Sequence, residues 1–169
     1  MTILNIHGYH GSSHNSAYEA LEALGFNIIS PDIDYDMETP HNIVERLKEI
    51  AAMHPIEYIV GTSLGGFFAA VLAAKLELPV ILINPCLMPF IQLPRLGYTG
   101  DMDRFARLFN CLESLDPQNV SCIIGDSDEV IDTHWVTKRL FDSPRFRTIP
   151  GGMQSGATLP LKDFFSDLL

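Results

Sequence analysis

The stretch from Glu57 to Leu76 limits what this chain can become more than any other, and its centre is Gly61-Thr62-Ser63-Leu64-Gly65. Before it stands Tyr58-Ile59-Val60, a β-branched and aromatic run. After it stands Phe67-Phe68-Ala69-Ala70-Val71-Leu72-Ala73-Ala74, an apolar helix former. The order predicts a strand, a tight G-x-S-x-G turn and a helix, the setting in which a serine hydroxyl is lifted clear of a sheet edge. A side chain two residues to either side of that serine would collide in such a turn, so both positions are glycine. The turn also leaves the Leu64 N–H at the start of a helix, free to face a developing oxyanion. The competing reading is a plain glycine-rich connection in which Ser63 caps the helix.

Length and charge narrow the field. The 169 residues suit one domain, 1–169, with a full hydrophobic core. A net charge of −10 argues against nucleic-acid and anionic-membrane partners, because no basic patch is present to displace phosphate counterions. No apolar run approaches the roughly 20 residues of a membrane span. Thr2-Ile3-Leu4-Asn5-Ile6 reads as a strand and lacks the charged-then-apolar pattern of a signal peptide, so a cytoplasmic protein is expected. The three cysteines, Cys86, Cys111 and Cys122, are odd in number and irregularly spaced. They predict reduced thiols, with no disulfide framework, no zinc site and no cofactor.

Read in order, the chain alternates strands and helices. Thr2–Ile6 runs into His7-Gly8-Tyr9-His10-Gly11, a glycine-bearing loop placed where the Tyr9 N–H can serve as a second oxyanion donor. Ser16-Ala17-Tyr18-Glu19 reads as a capping box, with Gly25 stopping the helix. Strands follow at 26–29, 58–60, 79–83, 120–125 and, at an edge, 145–149. Thr39-Pro40 opens a helix carrying Ile43, Leu47 and Ile50. Residues 86–118, punctuated by Pro89, Pro94, Gly97, Gly100 and Pro117, form a long insertion over the sheet, read as a cap. Its Leu87, Met88, Phe90, Ile91 and Leu93 either line an apolar acyl pocket or pack the insertion onto the core. Asp126 and Asp128, after the fifth strand, are candidates for a carboxylate that orients a catalytic imidazole. Asp132 is expected to cap the next helix. The expected architecture is a three-layer α/β sandwich on a mostly parallel six-stranded sheet. A nucleotide-binding domain is disfavoured: no G-x-G-x-x-G follows the first strand and no glycine loop carries a Walker lysine.

With His7-Gly8-Tyr9, Gly61-Thr62-Ser63-Leu64-Gly65-Gly66, Asn84-Pro85 and Gly125-Asp126-Ser127-Asp128-Glu129-Val130 in view, the chain resembles the α/β-hydrolase superfamily, most of all the small bacterial YqiA-like esterases. The resemblance covers essentially the whole chain. It implies Ser63 as nucleophile, Asp128 as triad acid and a spatial strand order of 2-1-3-4-5-6. It also exposes a departure. Where the family has Gly-Gly-x-His, this chain has Gly151-Gly152-Met153-Gln154, with Gln154 at the position of the general base. A glutamine amide can accept from Ser63 and donate to Asp128, but it takes up no proton at neutral pH.

Other histidines are possible replacements. His10, in the oxyanion loop, leads. His14, further along that loop, and His134, on the helix after the acid loop, rank behind it. His7 reads as a support for its own loop. Two functions follow. One is an esterase or thioesterase that cleaves a small acyl ester through Ser63. The other is a catalytically impaired relative that binds a ligand or partner in the same site.

Overall fold

A computed structural model of the chain describes residues 1–143, 145–151 and 159–169. Six strands form one sheet: β1 (Thr2–Ile6), β2 (Asn27–Ile29), β3 (Ile56–Thr62), β4 (Val80–Ile83), β5 (Val120–Gly125) and β6 (Phe146–Ile149). Their spatial order is β2-β1-β3-β4-β5-β6, and each neighbouring pair is parallel. Both the predicted order and the predicted edge position of β6 are met. Among the described residues the sheet contains no antiparallel pair, so "mostly parallel" becomes wholly parallel.

The near-continuous apolar runs in the central strands have a direct cause, since successive side chains point to opposite faces and both faces are covered. Ile3, Val60, Ile81, Ile83 and Ile123 face one core, closed by Ala17 and Leu21 of α1 (Ser16–Glu22) and by Leu161, Phe164 and Phe165 of α7 (Leu161–Leu168). Leu4, Ile6, Ile59, Leu82, Cys122 and Ile124 face the other. That side is covered by α2 (Pro40–Met53), α3 (Leu64–Leu76) and α5 (Met102–Phe109). Helix α3 is buried on all sides from Leu64 to Ala73. Its Phe67 and Phe68 pack with Tyr35 and Phe105 at ring-centroid separations of 5.5–6.0 Å.

Several local expectations change. Asn15, not Ser16, caps α1: its side chain accepts the Tyr18 N–H at 3.0 Å and is itself held by Asn5 Nδ2 at 3.1 Å. Asp132 does not cap α6 (His134–Leu140), whose cap position is Thr133. Its carboxylate turns instead to Gln92 and to the Arg95 guanidinium, 2.8 Å away, where a charge-assisted bond is available. Residues 86–118 contain α4 (Pro89–Gln92), α5 and short 3₁₀ turns. Leu87 and Leu93 are buried in the α3-side core, and Phe90 meets Phe109 edge-on, so these side chains pack the insertion down. Among the described residues, no helix is long and apolar enough to cross a membrane.

In a wholly parallel sheet every strand ends at the same edge. The loops after β1, β3, β4 and β5 therefore share one rim. Truncation of Phe68, fully buried between core rings, should cost about 3–5 kcal/mol in urea unfolding. Trp135→Ala, at a ring that is 62% exposed, should stay within about 0.5 kcal/mol of wild type in the same assay.

Candidate active site

At the centre of this rim Ser63 lies between β3 and α3 with φ 55° and ψ −121°, a conformation that a residue other than glycine holds only when its surroundings force it. Its side chain makes no capping bond to α3, which sets aside the helix-cap reading. The backbone is pinned on three sides. Ser63 N–H donates to Ile83 C=O at 3.0 Å, and Ser63 C=O accepts from Gly66 N–H and Cys86 N–H, each at 2.9 Å. The two flanking glycines are there for space. A Cβ on Gly61 would lie 2.4 Å from Gly65 C=O, and one on Gly65 would lie 2.1 Å from the carbonyl oxygen of Ile6.

The loop after β1 comes equally close. A Cβ on Gly8 would stand 2.9 Å from Ser63 Cβ and 3.5 Å from its hydroxyl oxygen. Neither Tyr9 N–H nor Leu64 N–H donates to an acceptor among the described residues. His7 holds this loop. Its Nε2 accepts the Ile33 N–H at 3.0 Å, which leaves Nδ1 as the protonated nitrogen, donating to Gly8 C=O at 2.8 Å. His10 sits at φ 56°, stacks on the Tyr9 ring and points its Nε2 toward Asp36 at 3.7 Å. Among the described residues it makes no hydrogen bond or ion pair with Ser63 or Asp128, so the leading replacement histidine is directed elsewhere. His14 is also spent locally, beside Ser13 and Tyr18. The cleft beside this loop, about 290 Å³, is lined by His7, Tyr9, His10, Asp32, Tyr35 and Asp36.

The structure separates the two acid-loop candidates. Asp126 is exposed and ties its turn to Gly151 N–H at 3.1 Å. Asp128 has a side chain only 1% exposed. Its Oδ1 accepts the N–H groups of Val130 and Ile131, both at 2.9 Å, and its Oδ2 meets His134 Nε2 at 2.8 Å. Burial alone would raise this carboxyl's pKa. The hydrogen bonds from His134 and from the Ile131 and Val130 amides outweigh it, and the net shift is downward. Cys86 lies between the two loops. Its thiol is pushed up to about 12, first by burial and then by the charge of Asp128, so it stays protonated and is no nucleophile at neutral pH. Gln154 lies outside the described residues. Among those described, no group of His, Cys, Asp and Glu is arranged to hold a metal ion.

In the sequence His134 ranks low, as a residue on the helix after the acid loop. Only the return of the chain from the acid loop into α6 brings the ring to the carboxylate.

Comparison with known proteins agrees with this fold. The profile of the uncharacterised protein family UPF0227 matches residues 2–142. Est1E from Butyrivibrio proteoclasticus, solved with ferulic acid bound, superposes with a TM-score of 0.67 at 16% identity, over 98% of this chain and 88% of its own. An extracellular α/β-hydrolase from a Paenibacillus species gives 0.69 at 13% identity, over 99% of this chain and 98% of its own. The thioesterase domain of the curacin biosynthetic pathway gives 0.64 at 12% identity, over 99% and 90%. At these identities the likeness is one of fold.

Two measurements test the site's construction. Gly65→Ala gains about 1 kcal/mol of helix propensity, but its methyl group meets backbone that cannot swing aside, so a net loss of about 2 kcal/mol or more is expected in denaturant melts. Asp128 has a folded pKa below its unfolded value, so the stability it adds is complete above the ordinary carboxyl pKa of about 4 and is lost as pH falls through the folded value. The gap between wild type and Asp128→Asn should therefore be full at pH 7 and shrink in acid.

Proposed function

The chain belongs to the uncharacterised protein family UPF0227 and has the α/β-hydrolase fold, and from that premise we propose that it hydrolyses small acyl esters or thioesters through Ser63. The reading is carried by one observation. The Ser63 backbone is forced into φ 55°, ψ −121°, its hydroxyl caps nothing, and the loop after β1 lies against it. In the proposed reaction Ser63 Oγ attacks the acyl carbon. The N–H groups of Tyr9 and Leu64 receive the charge that develops on the carbonyl oxygen. Each such donor is worth about 10²–10³ in rate. Asp128, ionised and fixed by three hydrogen bonds, is the acid that steadies the proton acceptor. A small acyl substrate is in keeping with the esterase and thioesterase folds among its structural neighbours.

A second reading has its own support. Gln154 stands where the resemblance expects a base, and Asp128 Oδ2 is already bonded to His134. On this reading the protein keeps the site as a binding surface without turnover.

A fluorophosphonate probe and a short p-nitrophenyl ester separate the two. Hydrolysis by Ser63 requires probe labelling at that residue and turnover that drops about 10⁴-fold or more in Ser63→Ala. A wild-type protein that neither labels nor turns over, under conditions that label a control esterase, favours the binding reading.

A further inference from the structure

We propose that His134 is the proton acceptor of this site, oriented by Asp128 and serving Ser63 without any histidine from the loop after β6. The inference rests on the serine-hydrolase reading above and names its missing base.

The chain has six histidines, and their placements leave one candidate. His7 uses both ring nitrogens, Nδ1 on Gly8 C=O and Nε2 on Ile33 N–H. His10 and His14 face Asp36 and Ser13. His41 and His54 are exposed at the two ends of α2. His134 alone among them bonds Asp128, at 2.8 Å. That bond also fixes the ring chemistry. The carboxylate has no proton to give, so Nε2 carries the hydrogen and Nδ1 carries the lone pair. His134 is only 9% exposed, and its Nδ1 is buried with no hydrogen-bond partner among the described residues. A buried acceptor left unmade costs about 1–3 kcal/mol and calls for a functional explanation. An imidazole with one nitrogen on a buried carboxylate and the other unspent is the acid–base half of a triad, with the two nitrogens exchanged.

Its position is consistent with that role. Asp128 is in the loop after β5, on the rim that holds Ser63, and its charge reaches the thiol of Cys86, a residue whose backbone N–H is bonded to Ser63 C=O at 2.9 Å. In this structure Nδ1 and Ser63 make no hydrogen bond; proton transfer requires that contact to form in the substrate complex, where catalytic contacts commonly tighten. As the Ser63 Oγ–acyl bond forms, the hydroxyl proton passes to Nδ1, while Nε2–H stays on Asp128. As the bond to the leaving group breaks, the imidazolium returns that proton to the departing alkoxide or thiolate. Water then repeats the cycle: it gives a proton to Nδ1, attacks the acyl carbon, and Ser63 Oγ recovers the proton as it leaves.

The test compares probe labelling of Ser63 and p-nitrophenyl acetate hydrolysis in the full chain and its variants. His134→Gln keeps an N–H donor for Asp128, and with it the fold, but accepts no proton. Labelling and hydrolysis should both fall by about 10³-fold or more. His134→Ala should recover about tenfold or more on adding free imidazole, a rescue that loss of packing alone would not give. Trp135→Ala, one residue along the same helix and solvent-exposed, should match wild type. The proposal is overturned if His134→Gln labels and turns over within about threefold of wild type. It is equally overturned if Gln154→His raises activity by about 10²-fold or more, because the acceptor position then belongs to the later loop; both results leave Ser63 standing as nucleophile. If neither wild type nor Gln154→His labels at Ser63, the hydrolase reading itself fails and this assignment falls with it.

Discussion

The rim of this molecule depends on how closely the start of α3 approaches the end of β1. With no side chain at Gly65, the helix backbone sits where a Cβ would be 2.1 Å from the Ile6 carbonyl oxygen. That approach sets the turn before the helix, and the turn forces Ser63 into its strained backbone. A strain of this kind costs on the order of 1–3 kcal/mol. It is held by bonds the turn cannot escape: Ser63 N–H to β4, and Ser63 C=O to Gly66 and Cys86. The same approach brings the loop after β1 against the serine, so the two open N–H groups and the hydroxyl are placed by one contact rather than three.

Electrostatics at the rim follow from burial and hydrogen bonding more than from net charge. The chain is acidic throughout, yet the chemistry turns on one carboxylate. Asp128 is shielded from water and still titrates low, because three donors stabilise its ionised form more than burial penalises it. The ionised form then acts on its neighbours. It adds to burial in raising the Cys86 thiol, and it fixes which nitrogen of His134 carries hydrogen. Asp126, two residues away and exposed, accepts through Oδ1 from the Ser127 hydroxyl and from Gly151 N–H. A difference in burial thus divides two adjacent acids into separate tasks.

Much of this was legible in the residues themselves. Apolar runs at Ile59-Val60, Val80–Ile83 and Cys122–Ile124 announce strands covered on both faces, because a buried parallel strand takes apolar side chains at successive positions. Gly61 and Gly65 announce a turn without room for Cβ atoms. Thr39-Pro40 announces a helix start, since its signal is local and its partner lies three residues away. Caps decided by a distant partner were misread. Asn15 takes the role assigned to Ser16 because Asn5, on β1, holds it. Asp132 leaves its helix for Arg95, thirty-seven residues earlier in the chain.

The strands and their parallel direction, the serine turn and the acid loop were therefore set by the amino-acid sequence, through side-chain alternation and steric exclusion that act within a few residues, while the spatial order of the strands was implied by the family resemblance. The partner of Asp128 was decided only in three dimensions. A hydrogen bond between residues six apart across an irregular loop has no period to betray it, and it exists because α6 begins where the carboxylate is already fixed and shielded from water. The same holds for His10, which lies beside the serine in the chain's logic but is carried toward Asp36 by its own backbone twist and the Tyr9 ring.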